Sequence, residues 1–199
     1  MPTSERIEKV ERVLASRQAD LRIVLEGVTL AHNASAVMRT CDAAGVLHLH
    51  LIGPNPEALK PNKAISTRAD KWLEISVHPT PAACLTPLKE AGYQILATHL
   101  RKDSVPYTEI DLARPVAIVF GSEAEGITEE CLSLADKVVR IPMFGLVQSL
   151  NLSVSVAVML YEALRQREAA GYRDKAKLPA EELDRLRGKW LNLDESQQS

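Results

Sequence analysis

"PMFGLVQSLNLSVSVAVML", residues 142–160, permits two readings, and the choice between them sets the fold. From Leu150 the residues alternate: apolar at Leu150, Leu152, Val154, Val156 and Val158, polar or small at Asn151, Ser153, Ser155 and Ala157. A period of two marks a half-buried strand. Length argues the other way. Strands usually run to about 5 or 6 residues, whereas Ser149 to Ala170 contains neither Gly nor Pro. The segment therefore predicts a helix, apolar on nearly every side and buried against two partners. One partner is the parent sheet and the other a second subunit. Ser149 and Asn151 then fall in the first turn, where free backbone N–H groups and polar side chains make a natural ligand site.

Outward from this helix, short and nearly continuous apolar runs alternate with helical patterns. Strands are predicted over residues 21–27, 46–53, 93–100, 115–123 and 137–143, with another near 73–77. Helices are predicted over 3–16, over 33–45 with Asn33 as N-cap and Gly45 as stop, and over 81–92 despite Pro87. A polar loop with a short helix precedes the 73–77 strand, and the last ten residues read as frayed. Buried strands alternating with helices predict a parallel sheet covered on both faces, the α/β class. No G-x-G-x-x-G follows the first strand and no P-loop is present, which removes the nicotinamide-dehydrogenase reading.

The chain has 199 residues, 46% hydrophobic and 25% charged, a single good-sized domain with short terminal attachments. There is no run of about 18 uncharged apolar residues, so no membrane span is expected. The charged N-terminus lacks a secretory signal core. Three scattered cysteines, Cys41, Cys84 and Cys131, suit the reducing cytoplasm and supply no disulfide or zinc framework. His48 and His50 share a strand face, but no third ligand has a suitable spacing, so no structural metal is expected. Cys41 reads as a small buried residue. A net charge of −2 argues against a bulk basic nucleic-acid binder. Local patches remain as candidates: Arg6, Lys9, Arg12, Arg17 and Arg22 near the N-terminus, and the Arg165–Lys177 stretch.

Three segments combine glycines with polar residues: "HNASAVMRTCDAAGV" (32–46), "FGSEAEGI" (120–127) and "IPMFGLVQSLNLSVS" (141–155). The second and third directly follow strands, where open parallel sheets place their ligands. In order and spacing the three resemble motifs 1, 2 and 3 of the TrmH (SpoU) branch of the SPOUT methyltransferases. "RQADLRIVLEGV", "QILATHL" and "LYEALRQREAAG" extend the likeness to the subgroup that methylates guanosine 18 of tRNA. The resemblance spans roughly residues 10–172.

That resemblance implies a parallel-sheet SPOUT fold with a deep trefoil knot over about residues 95–160, an exception to the rule against knots. Helical extensions over 1–20 and 171–199 would flank a methyltransferase domain at 21–170. It implies S-adenosylmethionine as cofactor, held around Thr98, Gly121, Ile141 and Leu150 with Met143 and Ser149 nearby, and an obligate homodimer with the 150–164 helix at its interface. The implied reaction is methylation of a ribose 2′-hydroxyl in the tRNA D-loop, or alternatively in ribosomal RNA or at another tRNA position. A non-catalytic RNA-binding relative would have lost motif residues, and none is lost here. The implied catalytic set is Arg39, Asn33, Glu123, Asn151 and Ser149. The family places Arg39 at the centre. Because a guanidinium rarely deprotonates, stabilising the developing alkoxide and gripping a flanking phosphate is its easier role. Asn33 and Glu123 would orient Arg39 or the ribose, and Asn151 would hold the nucleotide or brace its loop. Glu125 is off-pattern and ranks below Glu123.

Overall fold

The computed structural model describes residues 2–28, 31–53, 69–172 and 178–191. Seven strands among them form one parallel sheet: β1 (Gln18–Glu26), β2 (Val46–Ile52), β3 (Glu74–His78), β4 (Gln94–Thr98), β5 (Val105–Pro106), β6 (Val116–Phe120) and β7 (Lys137–Arg140). Their order across the sheet is β3-β2-β1-β6-β4-β7-β5, with every ladder parallel. The helices are α1 (Ser4–Ala15), α2 (Ala31–Ala43), α3 (Pro81–Glu90), α4 (Glu129–Leu134), α5 (Leu152–Ala169) and α6 (Ala180–Leu191).

The most apolar strand lies in the middle. All five residues of β6 are buried, and its neighbours are β1 and β4. Successive side chains of a strand point to opposite faces, so β6 feeds two cores. Val116, Ile118 and Phe120 join Leu21, Ile23 and Leu25 against α2 and α5, through Val37, Met38, Val156 and Met159. Ala117 and Val119 join Val24 and Ile95 against α3 and α4, through Cys84, Leu85, Cys131 and Leu132. Each fully buried Val, Ile, Leu or Phe contributes about 1.5–3 kcal/mol, which is why a two-sided strand carries no polar residue. No helix among the described residues is long and apolar enough to cross a membrane.

The 142–160 stretch resolves as helix, but later than the sequence suggests. α5 starts at Leu152, Asn151 is its N-cap, and Ser149 precedes it. The apolar surface of α5 is only partly used within one chain: Val156, Met159, Leu160 and Ala163 are buried, while Val154 and Tyr161 are 46% and 57% exposed. The preceding loop exposes Phe144, Leu146 and Val147 as well. Asn33 is a second correction. α2 begins at Ala31, so Asn33 lies inside its first turn and does not cap it. β5 and α4 have no counterpart in the sequence reading. The polar loop expected before β3 and the frayed terminus fall largely outside the described residues, apart from a 3-10 turn at Ala69–Trp72.

The terminal helices pack on each other. Val10 and Leu14 of α1 meet Leu186, Trp190 and Leu191 of α6 over Leu47. Arg6 donates to the Trp190 carbonyl at 3.0 Å, and Arg187 pairs with Glu11. Two arginines proposed for nucleic-acid contact are interior. Arg17 is 2% exposed and bonds Asp42 at 2.6 Å. Arg167, at 1%, pairs with Asp20, donates to the carbonyls of Leu112 (2.9 Å) and Arg114 (2.7 Å), and lies over the Tyr172 ring. Arg22 is also largely buried, its guanidinium over the Tyr93 ring. Residues 173–177 of the second basic stretch lie outside the described residues.

Arg167 thus ties the end of α5 to β1 and to the 112–114 turn. Arg167→Met is expected to cost about 3–5 kcal/mol, because Asp20 loses its guanidinium and two carbonyls lose their donor. Urea unfolding at neutral pH measures it.

Candidate active site

The site is built from the loop after β6. Gly121 packs so closely under Gly126 that a Cβ there would stand 2.1 Å from the Gly126 carbonyl. The turn beyond it is closed by Gly126 N–H donating to Ser122 O (2.9 Å) and Glu125 N–H donating to Ser122 Oγ (3.1 Å). Gly126 takes a φ of 70°, a left-handed conformation that glycine adopts without strain. The far end of the loop is anchored by buried Glu26, at the carboxyl end of β1. Its carboxylate accepts from Thr128 N–H at 2.9 Å and Thr128 Oγ1 at 2.6 Å.

This turn presents Glu123, and the other two motifs converge on it. Asn33 Nδ2 donates to Glu123 Oε2 at 3.0 Å. Asn151 Nδ2 donates to Glu123 Oε1 at 2.7 Å and reaches Asn33 Oδ1 at 3.4 Å. Leu152 N–H, in the first turn of α5, also donates to Glu123 Oε1, at 3.3 Å. Asn151 Oδ1 in turn accepts from Ser153 N–H and Oγ, at 2.9 and 2.6 Å. The carboxylate therefore sits at the positive end of α5 and is held by two amides.

Beside this trio lies a cavity of about 290 Å³, near the lower end of the ~300–1,000 Å³ typical of small-molecule sites. All six residues expected to hold the cofactor line it: Thr98, Gly121, Ile141, Met143, Ser149 and Leu150. Glu123 lines it too. Apolar walls come from Phe120, Val139 and Leu152, and further polar groups from Gln148, Ser155 and Arg140. Thr98 Oγ1 is committed to the Val119 carbonyl at 2.9 Å, so its part in the wall is structural. Gln148, Ser155 and Glu26 were not singled out from sequence. For Glu26 a signal existed: a carboxylate at the end of a buried strand, directly before Gly27.

Arg39 is placed differently. It is exposed on α2 and is not among the residues lining the cavity. Cys41, two residues on, is fully buried, and burial pushes its thiol up to about 12, so it is a core residue. Glu125 is exposed at the turn and belongs to none of the hydrogen bonds of the trio described above. The two histidines of β2 part company. His48 Nε2 lies 3.4 Å from Glu182 on α6, whereas His50 Nδ1 lies 3.1 Å from His78 Nε2 with Cys84 close by. Cys84, the third group beside them, comes from α3 and so is invisible to linear spacing.

Asn151 allows capping and site roles to be separated. Asn151→Ser keeps a good N-cap but removes the amide donor to Glu123. Its expected stability is within about 0.5 kcal/mol of the parent, while kcat falls by about tenfold to a hundredfold, since a missing positioning bond misplaces the reacting groups. Thermal unfolding and turnover kinetics on the same samples check both.

The profile of the SpoU rRNA Methylase family matches residues 20–161. The tRNA (guanosine(18)-2'-O)-methyltransferase of Thermus thermophilus is 43% identical over 189 residues, covering 95% of this chain and 97% of that protein. Among solved structures, the Aquifex aeolicus TrmH/SpoU tRNA modifying enzyme superposes with a TM-score of 0.88 at 39% identity, covering 96% of each chain. An AdoMet-bound rRNA methyltransferase from Sinorhizobium meliloti superposes with a TM-score of 0.66 at 31% identity, covering 75% of this chain and 57% of that one.

Proposed function

The chain belongs to the SpoU rRNA Methylase family, and on that footing we propose that it methylates the ribose 2′-hydroxyl of guanosine 18 in the D-loop of tRNA, using S-adenosylmethionine. The observation that carries the reading is the hydrogen-bonded trio Asn33–Glu123–Asn151 beside a cavity lined by all six expected cofactor residues.

The cavity fits that cofactor. Phe120, Val139, Ile141 and Leu150 provide apolar walls, and Gly121 lets the backbone face the cavity without a side chain. Gln148, Ser149 and Glu123 add polar groups. When bound, S-adenosylmethionine supplies a methyl group activated by its sulfonium charge. The chain's own residues do the rest. Gly121, Ile141 and Leu150 offer backbone groups, Met143 and Ser149 flank them, and Thr98 shapes the wall. Glu123, fixed by Asn33, Asn151 and the first turn of α5, orients the ribose edge. Asn151 keeps that turn in place. Transfer to the 2′-oxygen would form the O–CH3 bond as the S–CH3 bond breaks, releasing neutral S-adenosylhomocysteine and passing the hydroxyl proton to solvent, and alkoxide character developing on the oxygen would need stabilising. Arg39 meets that need as an electrostatic clamp on the oxygen and the neighbouring phosphate.

Two further parts complete the proposal. The enzyme acts as a homodimer in the cytoplasm, with exposed Val154, Tyr161, Phe144 and Leu146 buried between subunits. The chain is threaded through a deep trefoil knot over about residues 95–160, a reading supported by the close neighbourhood of β6, β4 and β7 around the cavity. Lys9 and Arg12 of α1 and Arg165 of α5 are exposed and offer phosphate contacts to tRNA, doubled by dimerisation.

The test supplies purified protein with methyl-labelled S-adenosylmethionine and either an unmodified tRNA transcript or ribosomal RNA, followed by digestion and mapping. Label in 2′-O-methylguanosine of the D-loop is the expected result. Label confined to ribosomal RNA would overturn the substrate and keep the chemistry. No label, with cofactor bound, would overturn the enzyme itself as an independent catalyst.

A further inference from the structure

On the far side of the sheet from the cavity, three side chains with good metal-ligand chemistry converge from separate elements. His50 comes from β2, His78 from the end of β3 and Cys84 from the first turn of α3. Their ligand atoms all lie within 4.8 Å of one another. The two ring nitrogens, His50 Nδ1 and His78 Nε2, are 3.1 Å apart. A tetrahedral zinc with Zn–N bonds of about 2.0–2.1 Å holds its nitrogens ~3.3 Å apart, so this pair needs almost no movement to share an ion. We propose that His50, His78 and Cys84 form a binding site for one thiophilic divalent cation, of the zinc type, with a fourth position left to solvent.

The chemistry of the surroundings selects that class. Two imidazoles and a thiolate suit zinc, whereas magnesium and calcium require oxygen ligands. The Arg22 guanidinium adds positive charge near His50. A dication beside it is tolerable only if the third ligand is anionic, and a metal-bound cysteine supplies that charge by releasing its proton. Cys84 is buried and His78 half-buried, so the ion would enter from the His78 side. Burial alone lifts the Cys84 thiol to about 12, so the metal-free site holds a neutral thiol.

The site would be structural. Among the described residues β3 is an edge strand of the sheet, hydrogen-bonded only to β2. An ion bridging β2, β3 and α3 pins that edge and the helix that follows it. It stands apart from the methyl-transfer reading, because β4, β6 and β7, whose ends line the cavity, lie beyond β1 in the sheet order.

Cobalt substitution tests this directly. Full-length protein, stripped with a chelator and kept reduced, is titrated with Co²⁺. The expected result is one equivalent per chain, with four-coordinate visible bands and an ultraviolet thiolate-to-cobalt charge-transfer band. Cys84→Ser abolishes the charge-transfer band, and Cys131→Ser retains it. His78→Gln, at the half-buried and more tolerant end, weakens binding at least tenfold. Zinc at a hundredfold excess over its Kd raises Tm by roughly 5–10 °C. Absence of a charge-transfer band in the parent protein overturns the proposal. So does a band that survives Cys84→Ser, or an affinity unchanged by His78→Gln.

Discussion

Arg39→Ala is expected to lower kcat for methyl transfer by about a hundredfold to a thousandfold, the usual cost of removing a group that stabilises developing charge. Cofactor affinity should stay within about twofold, because Arg39 is exposed on α2 and contributes nothing to the cavity wall. Stability should change by no more than about 0.5 kcal/mol, as truncating an exposed side chain leaves no cavity. Arg39→Lys should recover only part of the rate, since an ammonium keeps the charge and loses the planar fork that grips an alkoxide and a phosphate together. Single-turnover kinetics with labelled cofactor and calorimetric titration of the cofactor separate the two quantities. Equal losses in both would make Arg39 a structural residue and remove it from the chemistry.

The second large effect is expected at Gly121. The Cβ added by Gly121→Ala would lie 2.1 Å from the carbonyl carbon and oxygen of Gly126 and 2.5 Å from Ile127 N. These are backbone atoms with no rotamer to escape into. The turn must open, which breaks the Gly126-to-Ser122 hydrogen bond and shifts Glu123 away from both asparagines. Cofactor affinity should fall at least about a hundredfold, the scale at which a misplacement of about 1 Å acts. Stability should fall by about 1–3 kcal/mol from overpacking. Gly145→Ala is the internal control. It lies in the loop that contributes Met143 and Ser149 to the cavity, and its added Cβ meets nothing within 4 Å, so both quantities should hold. Cofactor titration and urea unfolding of the two variants give the contrast.

Local pattern is sufficient where burial or run length leaves one choice. Apolar runs such as residues 116–120 announce strands covered on both sides, because burial on two faces removes polar residues from the pattern. The length of the run after Ser149 announces a helix. The resemblance of the three motifs to the family pointed to Asn33, Glu123 and Asn151, and the wider likeness pointed to six of the residues that line the cavity. What failed was short or marginal. Helix α4 has six residues and β5 two, too few for a period to register. The start of α5 was set too early because Asn151 is held as a cap by Ser153 and anchored to Glu123, a contact spanning 28 residues.

By itself, then, the amino-acid sequence determined the α/β class, the parallel strands and a long helix after Ser149, since each follows from periodicity or run length within one segment, while the residues to watch came from the likeness of three motifs to a family. Tertiary structure alone decided the partners. Asn33 meets Glu123 across 90 residues. Arg17 and Arg167 turn inward to carboxylates and carbonyls rather than outward to phosphate. His50 faces His78 and Cys84 rather than His48. The physical reason is common to all three. Periodicity fixes which face of an element is apolar, but the polar atoms that meet across that face depend on the order of strands in the sheet, and strand order is a property of the packed whole.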